Sequence, residues 1–259
     1  MTRTYLVTGA ASGIGKATAT LLADRGHRVI GADLRDSDIN ADLSTVRGRE
    51  TLVRAAEELS GGVLDGVIAV AGLSHPIPVT AAVNYYGTVA TLEGLRPLLT
   101  RSPAPRAVAV ASMASLQPFD EELVRLLLEG TEDQALARAA ELATDPATGH
   151  QIYSSSKRAL ARWLRTTATT ADWAGAGIPL NAIAPGVVLT PMTTELVATP
   201  EGRARLNEQV PMPLNGPLDA EVAARLLVWL ADEENSHLCG QVIFIDGGYD
   251  AVVRGDSTW

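Results

Sequence analysis

One cysteine, Cys239, stands in a chain of 259 residues, so no disulfide can form within it, and the residue reads as a packed apolar group. The four histidines, His27, His75, His150 and His237, show no His-x-x-x-His spacing, and no Cys-x-x-Cys occurs, so no metal is expected. Basic side chains are in deficit: 21 Lys and Arg face 30 Asp and Glu, a formal net charge of -9. A surface of that sign repels phosphodiester backbones and anionic headgroups, so neither nucleic acid nor a membrane is an expected partner. No apolar run approaches the ~18 residues of a membrane span, and a strand pattern starts almost at once after Met1, leaving no room for a signal peptide. The cytoplasm is the expected location. Internal repeats and a linker long enough to divide domains are also missing, so residues 1–259 are expected to form a single domain.

What is present is an alternation of short apolar runs with helix-prone stretches, the pattern of a parallel sheet covered on both faces. Hydrophobic residues make up 46% of the chain, enough to bury such a sheet. Strands are expected at residues 4–8, 27–33, 63–70, 107–111, 178–184 and 241–245. Helices are expected from the glycines after residue 8 to about 25, and at 44–59, 81–99, 153 to about 173, and 219–231.

The first strand runs into Gly9-Ala10-Ala11-Ser12-Gly13-Ile14-Gly15 and then a helix. Gly9 permits a tight turn, Gly13 lets the backbone approach a pyrophosphate, and Gly15 lets helix and strand pack closely, with the helix N-terminus facing the anion. The second strand ends on Asp33, eighteen positions past Gly15, close to the separation of about 20 at which a carboxylate meets an adenosine ribose. Far along the chain, Tyr153 and Lys157 stand four apart, on one face of a helix. A cation beside a phenol favours the phenolate and makes a proton donor and acceptor of it. Taken alone, this spacing is more often that of a solvated helical stripe.

The motifs together resemble the short-chain dehydrogenase/reductase family: Thr8-Gly9-x-x-x-Gly13-Ile14-Gly15, Asp33, Asp42-Leu43, Ala71-Gly72, Asn84, Ser112, Tyr153-x-x-x-Lys157, Pro185-Gly186 and Ile245-Asp246-Gly247-Gly248, in the family's order over nearly the whole chain. The stretch between Ser112 and Tyr153, the Leu189-Thr190-Pro191 loop and the tail from Asp246 are further similar to the bacterial 3-alpha-hydroxysteroid dehydrogenase/carbonyl reductase branch. One departure is Ala69-Val70-Ala71-Gly72, where the family usually writes Asn-Asn-Ala-Gly. The resemblance implies an α/β fold with a Rossmann-type doubly wound parallel sheet. It also implies an NAD(P)-dependent oxidoreductase interconverting a secondary alcohol and a ketone.

By the same resemblance, Tyr153 is the general acid/base, and Lys157 lowers its pKa and hydrogen-bonds the nicotinamide ribose. Ser112 holds the substrate oxygen, with Ser115 a rival three positions on, and Asn84 supports a water relay to the lysine. As a lone residue Asn84 would read as a helix-interior amide bonding locally. The nucleotide site would comprise Gly9, Ser12, Gly13, Ile14, Gly15, Asp33, Leu34, Asp42, Leu43, Ala71, Gly72, Tyr153, Lys157, Pro185, Gly186, Val188 and Thr190. The carboxylate of Asp33 favours NAD over NADP, because it accepts from the ribose hydroxyls and repels a 2'-phosphate. Arg35 nearby is the one feature that favours NADP, unless it pairs with Asp33 or Asp36.

Residues 117–150 form a helical insertion, with helices expected at 121–128 and 133–142. It reads either as a surface hairpin packed on itself or as a cover over the site or an altered subunit contact. A homo-oligomer, dimer or tetramer, is the family's implication. The segment 185–218, with Val188, Met192, Leu196, Val197, Leu206, Val210, Met212 and Leu214, reads as a lid, and its apolar residues suit either a hydrophobic small-molecule substrate or packing of the lid on its own body. A hydroxysteroid or another hydrophobic carbonyl compound is the expected substrate; a small polar ketone, a sugar or a 3-oxoacyl thioester is the alternative. A nucleotide-sensing protein without catalysis is the reading from another class, and it predicts decay among Asn84, Ser112, Tyr153 and Lys157, all of which stand in place.

Overall fold

The strands alternate their side chains between two cores. In a computed structural model that describes residues 2–194 and 198–258, Tyr5 and Val7 of strand β1 (Thr4–Thr8) face one side and Leu6 the other. The same period of two recurs in β4 (Gly66–Ala69), β5 (Arg106–Val110) and β6 (Leu180–Pro185). One face is built from Tyr5, Val7, Ile68, Val108 and Ile183, and is covered by helices α1 (Gly13–Asp24) and α10 (Ala220–Leu230). On the other face the strands present Ala107, Ala109, Ala182 and Ala184 to α2 (Val46–Ser60), α4 (Thr88–Leu99) and α8 (Gln151–Thr167). Small residues on this side leave room for Leu52, Leu92, Leu95 and Leu99 to fill the layer.

With β2 (Arg28–Asp33), β3 (Ile39–Asn40) and β9 (Val242–Ile245), the sheet has seven strands among the described residues, in the order β3-β2-β1-β4-β5-β6-β9, all pairs parallel. This is the doubly wound, Rossmann-type α/β fold that the alternation predicts. The order reverses at β1, so the crevice between the carboxyl ends of β1 and β4 is where a ligand lies in such a sheet.

Boundaries differ from expectation where side chains capture the backbone. The strand expected at 63–70 shrinks to β4, because Leu64 N–H donates to Leu98 O, and the N–H groups of Val70 and Ala71 both donate to Thr8 Oγ1. The helix expected from 81 starts earlier, as α3 (Pro78–Ala81), and passes through a π-helical turn, Ala82–Gly87, before α4. The helix carrying Tyr153 begins at Gln151 and stops at Thr167, short of Trp173. Thr170 Oγ1 donates back to Thr167 O, Ala174 N–H to Ala168 O, and the turn folds Trp173 wholly into the core with its Nε1 on Glu93.

Residues 117–150 hold α5 (Glu121–Glu129), α6 (Glu132–Ala143) and the short α7 (Pro146–Gly149). Asp120 caps α5 by accepting from Leu123 N, and Thr131 with Gln134 forms a capping box on α6. The pair does not pack on itself alone. Leu123, Leu127, Ala135 and Ala139 join Ala81, Tyr85, Ile152 and Leu160 in a third core, against α3, the π turn and α8. In the segment 185–218, β7 (Val188–Leu189) pairs in parallel with β8 (Leu218–Asp219), and α9 (Pro200–Gln209) lies between them. Val210 and Met212 are buried with Tyr249 of α11 (Tyr249–Arg254), whereas Met192 and Leu214 are exposed; Leu196 and Val197 lie outside the described residues.

Candidate active site

A cavity of about 580 Å³ opens along the carboxyl ends of β1, β2, β4, β5 and β6. Its floor is the turn from Gly9 to Gly15. Gly9 and Gly13 adopt φ of +70° and +50°, the left-handed region that side chains rarely enter, and a Cβ on Gly15 would sit 2.1 Å from Gly9 O. The turn is therefore closed to anything but glycine at these places. Ser12, at the N-cap of α1, makes no side-chain cap bond, so the first N–H donors of that helix face the cavity without a protein acceptor from it. A cradle of this shape fits a dinucleotide pyrophosphate.

At the β2 end, Asp33 and Asp42 line the wall. Asp33 Oδ2 accepts from Ala11 N at 2.9 Å and Oδ1 from Leu34 N at 2.7 Å, so one carboxylate both shapes the glycine turn and faces the cavity. Asp42 Oδ1 accepts from the N–H and hydroxyl of Ser44 at 3.0 and 2.6 Å, and Leu43 is buried beside it. Arg35 is exposed, does not line the cavity, and makes no ion pair among the described residues.

At the other end, β5 delivers Ser112, which caps the 3-10 turn Met113–Leu116 by accepting from Ala114 N at 3.1 Å. On α8, Tyr153 and Lys157 turn the same face to the cavity. Lys157 is 3% exposed and Nζ donates to Val110 O at 2.8 Å. Burial pulls its ammonium down to about 8, because a charge loses its hydration there. Burial also pushes the Tyr153 phenol up, and hydrogen bonding with Ser112 pulls it partly back. The lowering expected from Lys157 is not among the influences on the phenol here, where burial outweighs the bond with Ser112.

Two family models divide the chain between them. One, described as short chain dehydrogenase, matches residues 3–124, and the other, described as Enoyl-(Acyl carrier protein) reductase, matches residues 131–250. The 3-alpha-hydroxysteroid dehydrogenase/carbonyl reductase of Comamonas testosteroni is 34% identical over 96% of this chain and 97% of its own. The chain belongs to the short-chain dehydrogenase/reductase family. It is an oxidoreductase acting on alcohol and carbonyl groups, in a family that binds NAD(P). A 3-oxoacyl-(acyl-carrier-protein) reductase of Thermotoga maritima is 32% identical over 94% of this chain and 96% of its own. Among solved structures, the 3-alpha-hydroxysteroid dehydrogenase from Pseudomonas sp. B-0831 complexed with NADH superposes with a TM-score of 0.87 at 40% identity, covering 98% of this chain and 99% of that one.

In this short-chain dehydrogenase, one cavity brings together Ser112, Tyr153, Lys157 and all the residues expected of the nucleotide site, but not Asn84. Asn84 is fully buried in the π turn. Its Nδ2 donates to Leu73 O at 2.9 Å and Ser156 Oγ at 3.1 Å, and its Oδ1 accepts from Leu73 N at 2.8 Å. It stands behind Gly72, where a Cβ would lie 3.1 Å from Asn84 Oδ1 and 3.5 Å from Lys157 Nζ. Ser115 does not line the cavity; its carbonyl accepts from Arg158. Thr8 was legible only as part of the glycine motif, yet its hydroxyl holds Val70 and Ala71, the turn from which asparagines are missing. Leu73, Val79 and Val83 also line the wall, and nothing but tertiary proximity marks them. No residue of 117–150 is among the lining residues, so the reading of that segment as a cover over the site is not supported. No group of His, Cys, Asp and Glu that could hold a metal occurs among the described residues, and no helix there is long and apolar enough to cross a membrane.

Proposed function

We propose that this protein is an NAD-dependent dehydrogenase/reductase that interconverts an uncharged, hydrophobic secondary alcohol, a hydroxysteroid being the best candidate, and its ketone. The observation that carries the reading is the single cavity with Asp33 at one end and Ser112, Tyr153 and Lys157 at the other. Asp33, Asp42 and Lys157 are the only charged side chains lining it among the described residues, and no arginine is present. A 2'-phosphate would therefore meet a carboxylate without a compensating cation, which supports NAD over NADP.

When bound, the nicotinamide gives or takes the hydride. Tyr153 is the general acid/base. With its phenol held protonated by burial, it donates a proton to the carbonyl oxygen in reduction and, as phenolate, takes it back from the alcohol in oxidation. The Ser112 hydroxyl donates to the same oxygen as negative charge develops on it. Lys157 uses one of its three donors on Val110 O and offers the others to the cofactor ribose. Asn84 holds the Leu73 backbone, a wall of the cavity, in place beside Lys157.

The cavity is also lined by the apolar side chains of Leu73, Val79, Pro191 and Met192, with no cationic group apart from Lys157 among the described residues. Such a surface lowers the free energy of an apolar ring system and leaves an acyl thioester's phosphates without partners, a hydrophobic preference that the relative from Comamonas testosteroni supports by its name. We take residues 1–259 as one domain, with α5 and α6 as its helical insertion, assembling as a dimer or tetramer. The deciding experiment is a panel of hydroxysteroids, small polar ketones, sugars and 3-oxoacyl thioesters, run with NAD(H) and NADP(H). Turnover confined to sugars or thioesters, or preference for NADP(H), would refute the substrate or cofactor assignment respectively. NADH binding without any turnover would favour a nucleotide sensor.

A further inference from the structure

Leu43 and Ser44 line the β2 end of the cavity from the loop between β3 and α2, where no strand pairing fixes them. Their carbonyls are held by one side chain. Arg49, in the second turn of α2, donates from Nε to Leu43 O at 2.8 Å and from Nη2 to Ser44 O at 3.2 Å. The same guanidinium, its side chain 10% exposed, grips Glu132 with two further bonds, Nη1 to Oε2 at 2.7 Å and Nη2 to Oε1 at 2.6 Å. The ring of Tyr86 lies 5.7 Å below its Cζ. A rigid fork that serves two carbonyls and a carboxylate at once has one orientation available to it.

Glu132 is itself fixed, in the first turn of α6 behind the Thr131–Gln134 capping box. The rest of α6 is tied to α8: Arg138 donates to Asp120 at 3.1 and 2.8 Å, and Asp120 N–H donates to Ser155 Oγ at 3.0 Å, between Tyr153 and Lys157. Residues 117–150 do not line the cavity, yet they span from its nucleotide wall to its catalytic helix.

We infer that Glu132, acting through Arg49, is a positioning residue for the cofactor: the α5–α6 pair braces the Leu43–Ser44 wall, so affinity for the nucleotide depends on a carboxylate outside the cavity. The inference rests on the reading of this cavity as an NAD site. A glutamine at 132 turns an N–H group toward a buried guanidinium that needs acceptors, and Arg49 must then leave its arrangement and release the two carbonyls. Tyr153 and Ser112 are untouched by that change, so the chemical step is spared.

The test is titration of the full-length protein with NADH, followed by fluorescence, together with kcat and substrate KM at saturating cofactor. Glu132→Gln is expected to raise the NADH Kd at least about fivefold, the loss of one charge-assisted bond, with kcat and substrate KM within about twofold. Glu132→Asp should recover part of the affinity. Arg49→Lys keeps the buried charge but loses the fork, and should weaken NADH in the same direction even if Glu132→Gln fails to fold. In an Arg49→Ala background, adding Glu132→Gln should weaken NADH no further, because the carboxylate acts only through the guanidinium. A parent protein that binds NADH and a folded Glu132→Gln or Arg49→Lys variant that binds it equally well would overturn the inference alone. Losses shared equally by kcat and both substrates would do the same. A parent protein that binds no NADH would overturn the cofactor reading as well.

Discussion

At the β2 end of the cavity, Asp42 is exposed, Leu34 is 58% exposed and Asp33 is half-buried, all of them at or beyond the end of β2; at the β5–β6 end, Ser112 is 7% and Lys157 3% exposed, on a strand end and a 17-residue helix. Beside the buried apolar wall of Ala32, Ala41 and Leu43, the exposed carboxylates at this end recognise a ligand through hydrogen bonds and charge repulsion, which water competes with. Burial at the other end changes ionisation itself, lowering Lys157 to about 8 and raising the Tyr153 phenol. Changes at the first end should therefore move affinity and cofactor choice, and changes at the second should move rate.

The sharpest break of that contrast is at Tyr153. Tyr153→Phe is expected to lower kcat by about 10³-fold while leaving NADH affinity within about twofold, since a lost general acid removes a term made only in the transition state. Stopped-flow turnover beside a fluorescence titration checks it, and an active variant would remove Tyr153 from the chemistry. In the parent, oxidation should climb with pH and reduction fall, because a phenol raised by burial must lose its proton to act as base. Ser112→Ala comes next, with an expected loss in kcat of about 10²-fold and little change in cofactor affinity, measured by steady-state kinetics. A loss confined to KM would instead mark a binding serine.

Asp33→Ala addresses the exposed end. Loss of hydrogen bonds to a charged acceptor should raise the NADH Kd about 10-fold or more and erode the preference over NADPH, with kcat at saturation nearly unchanged. Because Asp33 also accepts from Ala11 N and Leu34 N, Asp33→Asn, which keeps an acceptor there, should separate charge from shape. An unchanged preference in both variants would assign cofactor choice to another residue. A last effect concerns stability. Lys157 holds its proton less tightly when folded, at about 8, than its ordinary 10.5, so between those values the unfolded chain binds the extra proton. This group therefore adds stability as pH rises from 8 towards 10.5, and thermal melts of Lys157→Met should lack that increment relative to the parent.

The sequence carried the sheet because each buried strand is a short apolar run and each helix an amphipathic one, signals that need no partner to be visible. The glycine turn and Asp33 were legible from spacing along a strand-turn-helix-strand run, while Ser112, Tyr153 and Lys157 were singled out by the resemblance of the whole set of motifs to a known family. The π turn at Ala82–Gly87, the early end of α8 at Thr167 and the shortening of β4 were not legible, since each is decided by a hydrogen bond or a buried side chain from elsewhere, such as Thr8 Oγ1 or Trp173. The rise of the Tyr153 phenol on burial was not legible for the same reason. Spacing along a helix says which groups are neighbours, but only packing says how much water they have lost.

The sequence by itself determined the layered α/β architecture, through periodicity, whereas the family and the residues expected at both ends of the cavity came from the resemblance of its motifs to those of known short-chain dehydrogenases. Only the tertiary structure decided what residues 117–150 do, laying α5 and α6 against α8 and seating Glu132 on Arg49, 83 positions apart in the chain. It also decided that Asn84 supports the wall behind Gly72 and does not line the cavity. The physical reason is common to both: a half-buried ion pair or a buried amide takes its partner from whatever the folded chain brings within about 3 Å, and that distance has no expression in local sequence.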